Sequence, residues 1–257
     1  MKLLALDTAT EAMAVGLADG AAHSVVNAEG GAQASERLIP TALELLAQRG
    51  LAPPALDAIA FGQGPGAFTG LRTAVSVAQG LAFGIGCPVL PIDSLLIVAE
   101  DARAQALGAD GSEPFELWVA MDARMDEVYA GAYRHDGRAW LTCEAPALYD
   151  LPSLAARWGV AGAPPNLAGS AIEAFAGRLP WGQARLWPRT ADRAAALLRL
   201  ACAAWSAGRG VPARQALPVY LRDKVALTTA ERAAVAAAKA AAAAAASTAP
   251  AGEGGTR

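Results

Sequence analysis

The sequence predicts an α/β protein in which one β-β-β-α-β-α unit occurs twice, the second copy degenerate. Three observations carry that prediction. Short apolar runs end in aspartate at Asp7 and again at Asp122. Each is followed by two strands joined through Asp-Gly, at Asp19-Gly20 and at Asp136-Gly137. The offsets between these landmarks are 115 and 117 residues, nearly equal. Asp-Gly is a strong hairpin signal because both residues tolerate the positive φ of the tight primed turns.

The elements follow in order. Lys2–Asp7 is apolar and suits a strand buried on both faces; Met13–Ala18 and Ala21–Ala28 are the strands of the first hairpin. Leu38, Ala42, Leu45 and Leu46 recur at helical spacing over Ser35–Gly50, with Ser35-Glu36 able to cap. Pro40 disfavours helical geometry at Ile39, which predicts a start or a bend there. Ala55–Phe61 reads as a strand, Gly70–Gly86 as a helix and Pro88–Ile92 as a strand. The second round gives strands at Phe115–Met121, Val128–Tyr133 and Ala139–Thr142. It continues with a helix near Asp150–Trp158, a strand near Asn166–Gly169 and a helix over Ala191–Ala207. This doubled plan is that of the actin/Hsp70/sugar-kinase (ribonuclease H-like) ATPase fold. It divides the chain into a first lobe, 1–100, and a second, 101–227, whose last helix is free to pack back on the first. An Ala-rich tail, 228–257, closes the chain as helix or disordered extension.

Composition narrows the function classes. No apolar run reaches the length of a membrane span, and Asp7-Thr8 interrupts the opening apolar residues too early for a signal peptide, so a cytoplasmic location is expected. A net charge of −3 argues against an extended nucleic-acid footprint. Cys87, Cys143 and Cys202 form no Cys-x-x-Cys pair, and His23 and His135 stand far apart, so neither a redox pair nor a His-rich metal site is expected.

Two places could carry chemistry. In this fold the first turn of each lobe holds phosphates, and strand-end aspartates hold magnesium through water. Asp7, Thr8 and Thr10 occupy that position, with Asp122 in the second lobe. Ala9 stands where a phosphate turn favours Gly, and Ala123-Arg124 supplies no glycine loop. A decayed site with weak or no ATP or ADP binding is the expectation. The alternative is an ATP-dependent phosphotransferase of the sugar-kinase type using Asp7 and Asp122 with magnesium. The second place is Gly62-Gln63-Gly64-Pro65-Gly66-Ala67-Phe68-Thr69-Gly70, with Asp93 ending the next strand. It loosely matches a dinucleotide fingerprint, but a three-stranded meander precedes it and Pro65 removes an amide. A tight turn into a closely packed helix is preferred. That helix carries an apolar stripe of Leu71, Val75, Ala78, Ala82 and Ile85. A small-residue face holds Thr73, Val77, Gly80 and Gly84, and a polar face holds Arg72, Ser76 and Gln79.

Six stretches together resemble the TsaB (YeaZ) family. They are Leu4 to Thr10, Ser35 to Pro40, Gly62 to Arg72, Ala78 to Ala82, Met121 to Tyr129 and Pro218 to Arg222. The resemblance reaches to about Ala226 and leaves the tail outside. It implies a part in threonylcarbamoyl transfer to N6 of adenosine 37 of tRNA, as a non-catalytic subunit. The catalytic paralogue TsaD would hold metal and nucleotide, the ATPase TsaE would join the pair, and TsaC or a related synthase would supply threonylcarbamoyl-AMP. tRNA would be met only through the complex, and the family also homodimerises through the surface it uses for TsaD. The pairing helices correspond here to Ser35–Gly50 and Gly70–Gly86. Leu38, Leu45, Leu46, Val75 and Leu81 are therefore expected as apolar interface contacts or core, Arg72, Ser76 and Gln79 as polar interface contacts, and Ala74 on the exposed small-residue face of the interface. Where TsaD carries a His-x-x-x-His metal pair, Ser94 and Val98 stand here, and neither offers a neutral nitrogen. A protease reading, once attached to this superfamily, lacks both that pair and an activated nucleophile.

Overall fold

The computed structural model describes residues 1–162 and 164–222; the tail predicted over 228–257 lies outside the described residues. The chain runs β1 (Lys2–Asp7), β2 (Ala12–Asp19), β3 (Ala22–Glu29), α1 (Ala34–Gln48), β4 (Ala58–Gly64), α2 (Phe68–Ile85), β5 (Val89–Asp93) and α3 (Ser94–Leu107). It then repeats as β6 (Phe115–Asp122), β7 (Glu127–His135), β8 (Trp140–Asp150), α4 (Leu151–Ala161), β9 (Asn166–Ala168), α5 (Ala171–Ala174), β10 (Arg185–Trp187) and α6 (Arg193–Ser206). One sheet is ordered β3-β2-β1-β4-β5 and the other β8-β7-β6-β9-β10. The first three strands of each are antiparallel neighbours and the last two join in parallel, so the sheets match strand for strand. The doubled actin/Hsp70/sugar-kinase plan is present, with a reduced second copy: α5 has 4 residues where α2 has 18.

Alternation along β1 sets the layering. Leu4 and Leu6 face a core shared with Leu38, Leu45 and Leu46 of α1 and Leu71 and Val75 of α2. Leu3 and Ala5 face the opposite way and meet Leu197, Leu198 and Ala201 of α6. The closing helices are thus exchanged. α6 ends the second repeat yet covers the first sheet, whereas Leu95, Val98, Ala99 and Ala102 of α3 pack on Leu117, Val119 and Tyr133 of the second. Trp158 of α4 and Phe175 after α5 cover that sheet's far face with Trp118 and Val128. Met1–Leu221 is therefore one compact unit, and the division drawn between residues 100 and 101 falls inside α3.

Three sequence expectations are corrected. α3 had not been anticipated. Nearly all of its circumference is buried, so it shows no one-sided stripe, and its charges are satisfied internally. Ser35 and Glu36 do not cap α1, which starts a residue earlier after Gln33 and runs on through Pro40. Pro40 and Glu36 are both exposed, so the carbonyl that loses its amide partner faces water. The strand after the second hairpin extends to Asp150 rather than ending at Thr142, and the short α5 and β10 had no sequence signal.

A buried polar cluster joins α3 to α6. Glu100 accepts bonds from Arg103 at 2.9 Å, Arg199 of α6 at 2.5 Å and the Trp140 indole at 3.0 Å. Burial pushes the Glu100 carboxyl up, but the bonds from Arg103, Arg199 and Trp140 outweigh it and hold the group below its ordinary value. A carboxyl depressed in the folded state adds stability above its unfolded value of about 4.3, and that stability is lost as pH falls through the folded value. Replacing Glu100 by Gln leaves Arg103 buried without its counter-charge and is expected to cost about 3–5 kcal/mol at neutral pH in urea unfolding. The gap from the natural protein should close as the pH is lowered below 4; a gap independent of pH would remove the charge from the explanation.

Candidate functional site

The predicted phosphate turn is filled by the protein's own atoms. Asp7, fully buried at the end of β1, accepts a 2.6 Å bond on Oδ2 from Nε of Arg193, the first residue of α6, itself 2 % exposed. Thr8 donates its hydroxyl to the Gly70 carbonyl at 2.6 Å. The Thr10 hydroxyl accepts the Ala12 amide at 3.2 Å and closes its own turn. Asp122 accepts the Arg124 amide at 2.8 Å and lies 3.4 Å from the Arg124 guanidinium. The two hairpins are linked by Arg124 to Glu11 at 3.0 Å, an exposed pair worth at most about 1 kcal/mol.

The glycine-rich segment after β4 explains why so much fits there. A Cβ on Gly62 would overlap the Asp7 carboxylate, one on Gly66 would strike Ala9, and one on Gly70 would strike the Thr8 carbonyl. Gly64 has φ 109°, which only glycine adopts readily, with the Val219 carbonyl against it. Gly62, Gly66 and Gly70 are clearance for the end of β1 and the turn after it. Asp93, which the dinucleotide reading required, instead caps α3 through the Leu95 amide at 2.8 Å and accepts the Tyr133 hydroxyl at 2.6 Å. Burial pushes the Asp93 carboxyl above its ordinary value despite those bonds.

The residues present do not fit a magnesium–nucleotide. An arginine takes the place of the cation, and the turn that would cradle phosphate is packed by Gly66 and Gly70. Where a metal-binding relative would carry imidazoles, Ser94 accepts the Gly64 amide at 3.0 Å and Val98 is buried in the core beside Leu117. Among the described residues no group of three His, Cys, Asp or Glu side chains converges, and no helix is long and apolar enough to cross a membrane.

The expected interface residues separate into two sets. Leu38, Leu45, Leu46, Ala74 and Val75 point inward; Ala74 is 0 % exposed and the rest belong to the core with Leu71 and Phe61. Of the two readings open for Leu38, Leu45, Leu46 and Val75 the structure gives core, and Ala74, expected on an exposed face, is corrected to a buried position, because the apolar stripe of a helix packed on a sheet is its buried stripe. Leu81 is half-buried against the same core, and Gln79 spends its amide on the Ala213 and Ala216 carbonyls at 3.2 Å. Arg72 and Ser76 are exposed. They belong to an outward stripe of α2 that continues through Thr69, Thr73, Val77, Gly80 and Phe83, the last 76 % exposed. Ser35, Ile39 and Leu43 form a matching outward stripe on α1, and Ser35 shares an open cavity of about 450 Å³ with Phe68, Thr69, Arg72, Thr73, Ser76 and Val77. A Cβ on Gly80 or Gly84 would meet nothing within 4 Å. Phe83 gives no periodic core signal; its exposure beside two unobstructed glycines is what marks this face.

Known proteins carry the same architecture. Residues 24–250 match the family described as TsaD: tRNA N6-adenosine threonylcarbamoyltransferase. The Escherichia coli tRNA threonylcarbamoyladenosine biosynthesis protein TsaB is 32 % identical over 88 % of this chain and 96 % of its own. The Haemophilus influenzae protein of the same name is 41 % identical over 129 residues, about half of either chain. The structure of YeaZ from Pseudomonas aeruginosa superposes with a TM-score of 0.73 at 40 % identity, covering 86 % of this chain and 99 % of that one.

Replacing Arg193 by Ala would leave Asp7 charged, buried and unpaired, with an expected loss of about 3–5 kcal/mol in chemical denaturation. The double replacement Asp7→Asn with Arg193→Met should recover most of it; equal losses in single and double variants would show that packing, and not the charge pair, carries the effect.

Proposed function

The chain belongs to the TsaB (YeaZ) family, and from that premise we propose that it serves tRNA threonylcarbamoyladenosine biosynthesis as a non-catalytic subunit that docks and activates the transferase TsaD. TsaE would join that pair, and tRNA would be engaged by the complex. Metal and nucleotide would reside on TsaD, and the chain acts without a nucleotide of its own. The observation that carries the reading is the outward face of α1 and α2. Gly in a helix interior costs about 1 kcal/mol relative to Ala, and among the described residues no atom opposes a side chain at 80 or 84. A partner backbone lying close against α2 gives both glycines a reason. Phe83, Leu43 and Ile39 supply apolar anchors beside them. The same face suits a second copy of the chain when the partner is absent.

The buried Asp7–Arg193 pair supports the non-catalytic side of the reading. A kinase-like mechanism needs that carboxylate for magnesium, and here it would have to shed a guanidinium from an unexposed position first. The partner's chemistry is likewise not duplicated, since Ser94 and Val98 are occupied with backbone and core.

Phe83→Glu places a charge on the most exposed apolar position of the outward face. It should abolish co-elution with TsaD while shifting the melting temperature by no more than a few degrees. Ala74→Glu is unsuited to this purpose, because a buried charge at 74 would unfold the helix packing. Phe83→Glu protein that still co-elutes stoichiometrically would refute the docking surface. Calorimetric titration of the isolated chain with magnesium-ATP should give no saturable heat at micromolar protein; tight binding would return the kinase reading.

A further inference from the structure

The N-terminal end of the docking face differs from its apolar end. Arg72 sits one turn into α2 with its guanidinium 3.8 Å from the centroid of the Phe68 ring, and it donates Nε to the Tyr220 hydroxyl at 2.9 Å. Phe68 and Tyr220 also contact each other, with ring centroids 5.2 Å apart. Tyr220 is brought there by the segment after the last helix. The Val219 amide donates to the Gln63 carbonyl at 2.8 Å, and Gln63 Nε2 donates to the Leu217 carbonyl at 3.2 Å. Arg72 is thus exposed yet held in one orientation by two aromatic rings and one hydrogen bond. Its two terminal amino groups make no hydrogen bond to any described residue. The cavity they border is lined otherwise by hydroxyls and apolar groups, and no Asp or Glu lines it.

We propose that Arg72 is the polar anchor of the docking face and receives an Asp or Glu carboxylate from the partner protein. This rests on the docking reading and adds the chemistry of one contact to it. A guanidinium whose Nε is already engaged still presents Nη donors in a plane, which suits a carboxylate, and the aromatic stack removes the entropy such a side chain would otherwise lose on binding. Hydroxyls of Thr69 and Ser76 can complete the carboxylate's hydrogen bonds. The surroundings favour protein over RNA. A nucleic-acid backbone needs several cations in a row, whereas the same stripe continues as Val77, Gly80 and Phe83 and the chain's net charge is −3.

The test is calorimetric titration of the full chain with TsaD at low and high salt. Arg72→Gln is expected to raise Kd about 10- to 100-fold, to flatten the dependence of Kd on salt, and to leave the melting temperature unchanged. Tyr220→Phe, which frees Arg72 without removing its charge, is expected to raise Kd a few-fold. A charge-reversal pair, Arg72→Glu against an Asp or Glu to Arg change on the partner, should restore binding lost in each single variant. If Phe83→Glu abolishes binding while Arg72→Gln leaves Kd within two-fold, the anchor is overturned and the docking face stands. If neither changes Kd, the docking reading falls, and the anchor with it. An Arg72→Gln protein that pairs normally but gives weaker tRNA crosslinks in the complex would assign the residue to RNA and overturn the proposal.

Discussion

A single ion pair, made between residues 186 positions apart, determines how the two repeats are held. Asp7 ends the central strand of the first sheet and Arg193 begins the helix that closes the second repeat. Burying two charges is costly, and a buried pair by itself is poor evidence for stability. Its use here is positional. Three further contacts fix the same turn: Asp101 of α3 accepts the Ala191 and Asp192 amides, Asn27 of β3 accepts the Ala194 amide, and Asp192 caps its own helix. With its first turn pinned from β1, β3 and α3, α6 can lay Leu197, Leu198 and Ala201 on a sheet to which it does not belong. The exchanged helices then bind the repeats into one body. An ATPase of this plan needs lobes that open and close around a ligand. A guanidinium bonded to the strand-end carboxylate opposes such a cycle, which is why the pair supports the proposed reading of a chain that works through its surface.

The unequal erosion of the repeats fits this shift. The second keeps its three-stranded meander but has shortened β9 and β10 to 3 residues each and α5 to a single turn. The first keeps α1 and α2 at 15 and 18 residues, long enough to run the length of its 8-residue strands. What survives at full length is the pair of helices whose outer stripes are unobstructed.

Much of the fold was legible because its signals are local. The Asp-Gly hairpins, the apolar β1 and the α2 stripe each announce themselves within ten or so residues, and the two Asp-Gly landmarks reveal the duplication by their spacing. α3 was invisible for a physical reason: it is buried nearly all round, and Glu100, Asp101 and Arg103 read as solvent-facing while all three are satisfied internally. Arg193 could not have been found either, since nothing near it in sequence says that it reaches β1. Helical periodicity selects the stripe richest in Leu and Val, and on a helix packed against a sheet that stripe is already spent. Periodicity alone therefore leaves Leu38, Leu45 and Val75 open between contact and core, and the fold puts them in the core. Ser35, Ile39, Leu43 and Phe83, mixed in character, are the residues these helices expose, and a stripe of mixed character gives no periodic signal.

The glycines between β4 and the end of α2 make the same distinction in one stretch of chain. Those at 62, 66 and 70 are each opposed by atoms of residues 7 to 9, so their missing side chains are accounted for by this molecule's own packing. Those at 80 and 84 meet no atom of the described residues from inside a helix, where their backbone freedom is a cost. Sequence patterns treat both sets alike, since each looks like a run of small residues. Only the atom opposite the missing Cβ tells clearance inside a fold from clearance kept for something outside it. By that criterion the motif with the appearance of a cofactor loop is structural. The plain helix that follows it carries the unopposed glycines on which the proposed docking face rests.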